Sequence, residues 1–307
     1  MTLRISALAD VERVPYDEFF IIEDMLTTRV TYLTGEPKAG KSLWAVGAVI
    51  AGVEGHSHFV GQRLLRPLRH VVWGFTDDGS DSELRERLEG TKAMASVSVL
   101  PVHDLTEDDW AKLPAVLATT GCDLFVLDTV LGSLAPGQDI ASSLTAASVN
   151  VRLRRFPEAG IPVLAITHTP KGSSEGLTVP SSVIGGRAMA AGGRGVIALR
   201  RRGDGGRRIV TNLNRAREDL DLRVKVEPIT EGSEVPRWTL LEHGKPSGTE
   251  WHRNLVDLVV AEQPDTSSAT ELGRLYSSRL SKSERTVRQA VPDLLEHDGA
   301  SWRALAA

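Results

Sequence analysis

The chain has 307 residues, 41% hydrophobic and 25% charged, a balance that excludes a disordered or fibrous protein. Its formal net charge of −4 excludes a global positive field, so any polyanion site has to be a local patch. The single cysteine, Cys122, fits a reducing, cytoplasmic compartment, and the lack of a basic leader or of any run of ~18 apolar residues argues against secretion and membrane insertion.

From residue 19 onward, short apolar runs alternate with longer amphipathic stretches, the signature of an α/β fold. The run "RVTYLT" predicts a strand over 29–34. It leads into "GEPKAGKS" at 35–42, a G-x-x-x-x-G-K-S phosphate loop that opens a helix over 42–54. Glycines at 35 and 40 let the backbone turn until successive N–H groups face the phosphates. Lys41 then reaches the β- and γ-phosphates, and the Ser42 hydroxyl holds Mg²⁺. Gly35, Glu36, Pro37, Lys38, Ala39, Gly40, Lys41, Ser42 and Leu43 are therefore the expected ATP-binding residues.

Further strands are expected over 70–75, 97–102, 122–129, 162–168 and 195–201, and helices over 82–89, 110–118 and about 142–157. Several strands are apolar on both faces, which suits a mostly parallel sheet flanked by helices. The second strand ends in "GFTDDGSD", placing Asp77 and Asp78 at the carboxyl edge, where ligands of open α/β sheets bind. One of them is expected to polarise the attacking water. "CDLFVLDTV" puts Asp128 at the end of an apolar strand, as needed to hold the metal through water. "ITHTPKG" brings Thr167, His168 and Lys171 to the same edge, with His168 as a sensor of the γ-phosphate.

Residues 171–195 are rich in Gly and Ser and suit a DNA-touching loop. A hairpin follows, "VIALRR" and "RRIVTNLN" joined across "GDGG" at 203–206. The stretch concentrates Arg200, Arg201, Arg202, Arg207, Arg208, Arg215 and Arg217, and an arginine projecting onto a neighbour's nucleotide would stabilise charge in phosphoryl transfer. The composition shifts at "EHGKPSGT", read as a linker over 242–249 between a 1–241 ATPase domain and a 250–307 module. In that module a first helix buries Leu255, Leu258 and Val259, and a second, capped by Asp265 or Thr266, carries Leu272 and Leu275. A third, from near Ser283, buries Val287, Ala290, Leu294 and Leu295 and stops at 297–299. With the stub around Trp302, this predicts a winged-helix or helix-turn-helix module, its third helix touching DNA through Arg285, Arg288 and Gln289 or docking a protein partner.

"FFIIEDMLTTRVTYLTGEPKAGKSLWAVGAVIAGVEGHSHFVGQRL", "HVVWGFTDD", "CDLFVLDTV" and "VLAITHTPKG" resemble the RecA-type ATPases of the plasmid RepA hexameric helicase group, relatives of the DnaB replicative helicases. The likeness runs over about 19–217, and "GHSHFVGQ" is especially close to that group. It implies a RecA-like core, a ring, in that group a hexamer, with ATP between subunits, and central loops on single-stranded DNA. A replication initiator or primase would be a further partner. Gly35, Gly40, Lys41 and Ser42 match the group's phosphate loop, Asp128 its metal-associated aspartate and His168 its histidine. Where the group carries glutamate after the second strand, this chain has Asp77, or Asp78 if the alignment slips. An aspartate is one methylene shorter, so a slow or partner-dependent ATPase is expected. The arginine acting in trans is Arg215 or Arg217. The leading expectation is an ATP-driven, ring-forming DNA helicase or translocase of a plasmid, phage or mobile element. The alternatives are an ATP-switched recombination mediator or regulator that does not unwind, and a DNA-binding regulator whose nucleotide site is structural.

Overall fold

The computed structural model describes residues 7–170, 178–202, 205–244, 250–280, 283–298 and 301–304. Lys171, Gly203 and Gly299, most of the linker 242–249 and the Leu294 side chain lie outside the described residues. The chain divides into two compact units, Met1–Gly244 and Lys245–Ala307.

The first unit is built on strands β1 (Val30–Thr34), β2 (Val71–Phe75), β3 (Val97–Pro101), β4 (Leu124–Asp128), β5 (Val163–Ile166), β6 (Gly195–Arg201), β7 (Arg207–Leu213), β8 (Asp221–Pro228) and β9 (Pro236–Gly244). Among the described residues they form one nine-stranded sheet in the order β9-β8-β7-β6-β1-β5-β4-β2-β3. The run from β6 to β3 is parallel, and β7, β8 and β9 add to it antiparallel, so the sheet is mixed but mostly parallel. Strands β8 and β9 escaped the sequence reading, although Leu222, Val224 and Val226 alternate as a half-covered strand should. Strand β9 continues to Gly244, through the first residues of the stretch read as linker.

Helices α1 (Lys41–Glu54), α2 (Ser80–Leu88), α3 (Glu107–Thr119) and α4 (Ser143–Glu158) cover the sheet. Successive residues of each parallel strand pack into different cores. Leu33, Val126 and Leu164 join Trp44 and Val49 of α1 on one face, while Tyr32, Phe125 and Val163 join Trp110 of α3 and Phe156 of α4 on the other. Each such fully buried side chain contributes about 1.5–3 kcal/mol. Helix α3 starts three residues before its expected beginning because Thr106 and Asp109 form a reciprocal capping box. The "GHSHFVGQ" element is a small hairpin, His58–Phe59 against Gln62–Arg63, whose Phe59 ring meets Trp44 edge-on at 5.5 Å. It is a packing device for the helix that carries the phosphate loop.

The second unit comprises helices α5 (Glu250–Glu262), α6 (Ala269–Tyr276) and α7 (Glu284–Leu294) and a hairpin of β10 (Leu295–His297) with β11 (Trp302–Ala304). Leu255, Val259, Leu272, Tyr276, Val287, Val291 and Trp302 form its core. One expectation needs correcting. The N-cap of α6 is Ser268, the Thr266 hydroxyl being taken up by the Ser268 N–H and the Glu271 carboxylate; the helix carries Leu272, which is buried, and Leu275, which is exposed. Ser283 does cap α7, accepting from the Thr286 N–H at 3.1 Å. Among the described residues no helix is long and apolar enough to cross a membrane.

Candidate active site

The phosphate loop follows β1 at the carboxyl edge of the parallel strands. Gly40 sits at φ 99° as the N-cap of α1, a conformation open to glycine and costly for L side chains. Gly35 is required for a different reason, since a Cβ there would lie 2.4 Å from the Leu199 carbonyl oxygen of β6. Lys41 is buried, and its Nζ donates to the carbonyls of Gly35 and Glu36, both at 3.0 Å. Burial holds its pKa below the ordinary lysine value, opposed by Asp128. The lysine therefore rests on the loop's own backbone, in reach of whatever the loop encloses.

Asp128 and Asp77 come to this loop because β4 and β2 are neighbours and end in register, Phe75 opposite Asp128. Thr76 ties the two ends, its hydroxyl accepting from the Thr129 N–H at 3.1 Å and lying 3.3 Å from the Asp77 carboxylate. Burial pushes the Asp128 carboxyl up, while a hydrogen bond from the Ser42 hydroxyl and the Lys41 charge pull it down and Asp77 adds repulsion. His168 follows β5, its Nδ1 3.5 Å from Lys41 Nζ. An ammonium can only donate, so Nδ1 is the acceptor of a neutral ring. Burial and Lys41 keep the imidazole below its ordinary pKa, with Asp77 opposing. The backbone beyond this histidine is tied in as well. The Ile184 N–H donates to the His168 carbonyl at 2.9 Å, and the Thr34 hydroxyl of β1 donates to the Ser182 carbonyl at 2.7 Å.

Pro37, Lys38, Gly40, Lys41, Ser42, Leu43, Asp77, Asp78, Asp128 and His168 all line one cavity of about 500 Å³, a size suited to a small-molecule ligand. Ala39 is fully buried behind the loop, and Gly35 and Glu36 lie at its base, holding Lys41. Sequence reasoning missed Glu83 and Arg87, which also line the cavity and pair at 2.6 Å on α2. Their i,i+4 spacing beside the buried Leu84 and Leu88 was the available signal. Among the described residues no group of three or more His, Cys, Asp and Glu gathers as a metal cage. The Ser42 hydroxyl donates to the Asp128 carboxylate beside the loop.

The arginine cluster splits between two edges of the sheet. Arg208 pairs in a fork with Asp221 at 2.7 and 2.6 Å, and Arg207 reaches the phosphate loop. Arg215 and Arg217 lie at the opposite, amino edge. Arg215 donates to the Val14 carbonyl at 2.7 Å and covers the Phe19 ring, while Arg217 covers Tyr16 and pairs with Glu23 at 3.5 Å. Arg215 also lines a cavity of about 750 Å³ with Arg29, Arg154 and Arg194, against the one carboxylate of Glu158.

A family model described as an AAA domain matches residues 13–174, more than half of the chain and including Lys41, Asp77, Asp128 and His168. Among solved structures, the crystal structure of the RadB recombinase is similar at 18% identity, covering 71% of this chain and 93% of that chain with a TM-score of 0.46. No curated protein matches. Strand β5 is inserted between the phosphate-loop strand β1 and the Asp128 strand β4. The chain belongs to the AAA domain family and carries the G-x-x-x-x-G-K-S motif at Gly35–Ser42.

Proposed function

We propose that this protein is an ATP-switched, DNA-binding mediator or regulator that assembles head to tail, and that its ATP turnover is slow. The observation that carries the reading is the shortness of the carboxylate beside the nucleotide. Asp77 lines the same cavity as Lys41, Asp128 and His168, and it is one methylene shorter than a glutamate. Slow hydrolysis makes the ATP-bound state long-lived, which suits a switch better than a processive motor.

In this reading the phosphate-loop N–H groups and Lys41 bind the triphosphate. Asp77 orients water in line with the γ-phosphate, and His168 reports the phosphate to residues 178–184 through its backbone bond to Ile184. Assembly supplies what the carboxyl edge lacks. Arg215, or Arg217 beside it, acts on the nucleotide of the next subunit. This is supported by the basic cavity at the amino edge, which a head-to-tail contact can set against the acidic, phosphate-bearing edge of a second copy. The second unit is a winged-helix-like module. Its α7 presents the exposed Arg285, Arg288 and Gln289 to DNA, and the β10–β11 hairpin is the wing.

The test is ATP turnover with and without single-stranded DNA, with strand displacement and particle mass followed in the same samples. Stimulation without displacement is the expected result. Displacement of a duplex strand would identify a helicase instead, and failure to bind ATP would end the scheme.

A further inference from the structure

The sequence offers the arginines around the β6–β7 hairpin as candidates to project onto a neighbour's nucleotide, yet one of them turns inward. Arg207 opens β7, and its Nε donates to the Ala39 carbonyl at 2.8 Å, while Nη1 donates to the carbonyls of Gly205 and Gly206 at 2.8 and 3.0 Å. One guanidinium thus joins the hairpin turn to the phosphate loop, 168 residues away along the chain. A second brace comes from β9, where the Trp238 indole N–H donates to the Leu43 carbonyl in the first turn of α1 at 3.0 Å. Packing shows how close this approach is: a Cβ on Gly47 of α1 would lie 2.6 Å from the Trp238 ring. A Cβ on Gly40 would face both Arg207 and Trp238, at 3.7 and 3.8 Å.

Peptide planarity gives these bonds a consequence for the ligand. In a trans peptide the C=O and the following N–H point in opposite directions. With the Ala39 carbonyl held outward by Arg207, the Gly40 N–H is turned to the other side of the same plane, into the loop. There it can meet a phosphate oxygen without first rotating.

We propose that Arg207, seconded by Trp238, is a positioning residue of the nucleotide site that fixes the Ala39–Gly40 peptide in its phosphate-binding orientation and so sets the affinity for ATP rather than the rate of its hydrolysis. Both residues lie outside residues 13–174, so the antiparallel extension β7–β9 supplies part of the nucleotide site from beyond the family domain. The arrangement has an electrostatic cost that a merely structural contact would not need. Arg207 stands opposite Arg201 across the hairpin, and burial together with that neighbour holds its pKa below the ordinary arginine value. A bound triphosphate relieves the repulsion.

The inference rests on ATP occupying the phosphate loop, so the experiment separates the two. Binding of ATP and of ADP is measured by calorimetry, and KM and kcat by turnover, for the full chain and for Lys41→Ala, Arg207→Ala, Arg207→Lys and Trp238→Phe. Arg207→Ala should weaken both nucleotides roughly 10-fold and raise KM with kcat within about 2-fold. Arg207→Lys, which can still donate to Ala39, should recover most of the affinity, and Trp238→Phe should weaken binding roughly 3-fold. Unchanged affinity in Arg207→Ala, or a fall in kcat with KM intact, overturns the inference. If Arg207→Ala does not fold, Trp238→Phe decides it by the same criteria. If the unaltered protein binds neither nucleotide, the ATP reading has failed; if it binds and Lys41→Ala does not, while the Arg207 and Trp238 variants bind normally, only the positioning role has failed.

Discussion

The two edges of the central sheet carry opposite characters. At the carboxyl edge, Asp77, Asp78, Glu83 and Asp128 share a cavity with Lys38, Lys41, Arg87 and the phosphate loop. At the amino edge, Arg29, Arg154, Arg194 and Arg215 share a cavity with one carboxylate. The charges are mixed at the first edge, where Lys38, Lys41 and Arg87 face the carboxylates, and mostly of one sign in the second cavity. The difference teaches that one edge balances cations against carboxylates around the loop, whereas the cavity at the other gathers four arginines around the one carboxylate of Glu158. A head-to-tail contact between copies would bring the two together.

The comparison can be broken most sharply from the carboxyl edge. Lys41→Ala should lower ATP turnover at least ~1000-fold and abolish measurable nucleotide binding, because the ammonium held by the Gly35 and Glu36 carbonyls is the charge set inside the loop. At the amino edge, Arg215→Ala should lower turnover per site roughly 100-fold in assembled protein while leaving ATP affinity intact. Arg217→Ala should do less, since that guanidinium is already engaged by Glu23 and Tyr16. Gly35→Ala probes the scaffold between the edges. A methyl 2.4 Å from the Leu199 oxygen should destabilise the fold by about 1–3 kcal/mol in urea unfolding.

The smallest effect is a pH dependence. Burial and Lys41 hold His168 below the ordinary value of 6.5, so the ring is neutral at pH 7. Its folded pKa being depressed, the stability it contributes is present above 6.5 and is lost as pH falls through the lower folded value. Turnover should be flat from pH 8 to about 6.5 and decline a few-fold below that, as imidazolium forms beside Lys41. His168→Gln should flatten that acid limb; an unchanged limb would assign the titration to another group.

What the sequence revealed follows the range of the interactions involved. The parallel core was legible because β1, β2, β4 and β5 are apolar runs ending in chemistry-bearing residues: Gly35, Asp77, Asp128 and His168 stand at or just past strand ends, and Lys41 opens the helix after the first. Local order was enough to find them. Strands β8 and β9 were missed because Asp221–Pro228 mixes charge into a strand covered on one side only. The contacts of Arg207 with Ala39 and of Trp238 with Leu43 span 168 and 195 residues, and no local pattern announces them. The arginine cluster shows the same limit. Composition grouped seven residues that the antiparallel turn from β6 to β7 then divided, sending Arg207 to the phosphate loop and Arg215 to the far edge.

The most direct test of the head-to-tail account is complementation between two inactive chains. Lys41→Ala protein cannot hold ATP but keeps its Arg215, and Arg215→Ala protein holds ATP but lacks the arginine for its neighbour. Mixed in equal amounts with single-stranded DNA, the two should regain turnover well above the sum of the separate samples, because some Arg215→Ala sites then face an intact arginine. A mixture no more active than that sum, in samples shown by particle mass to contain mixed assemblies, would contradict a nucleotide site completed by the opposite edge of a neighbouring copy.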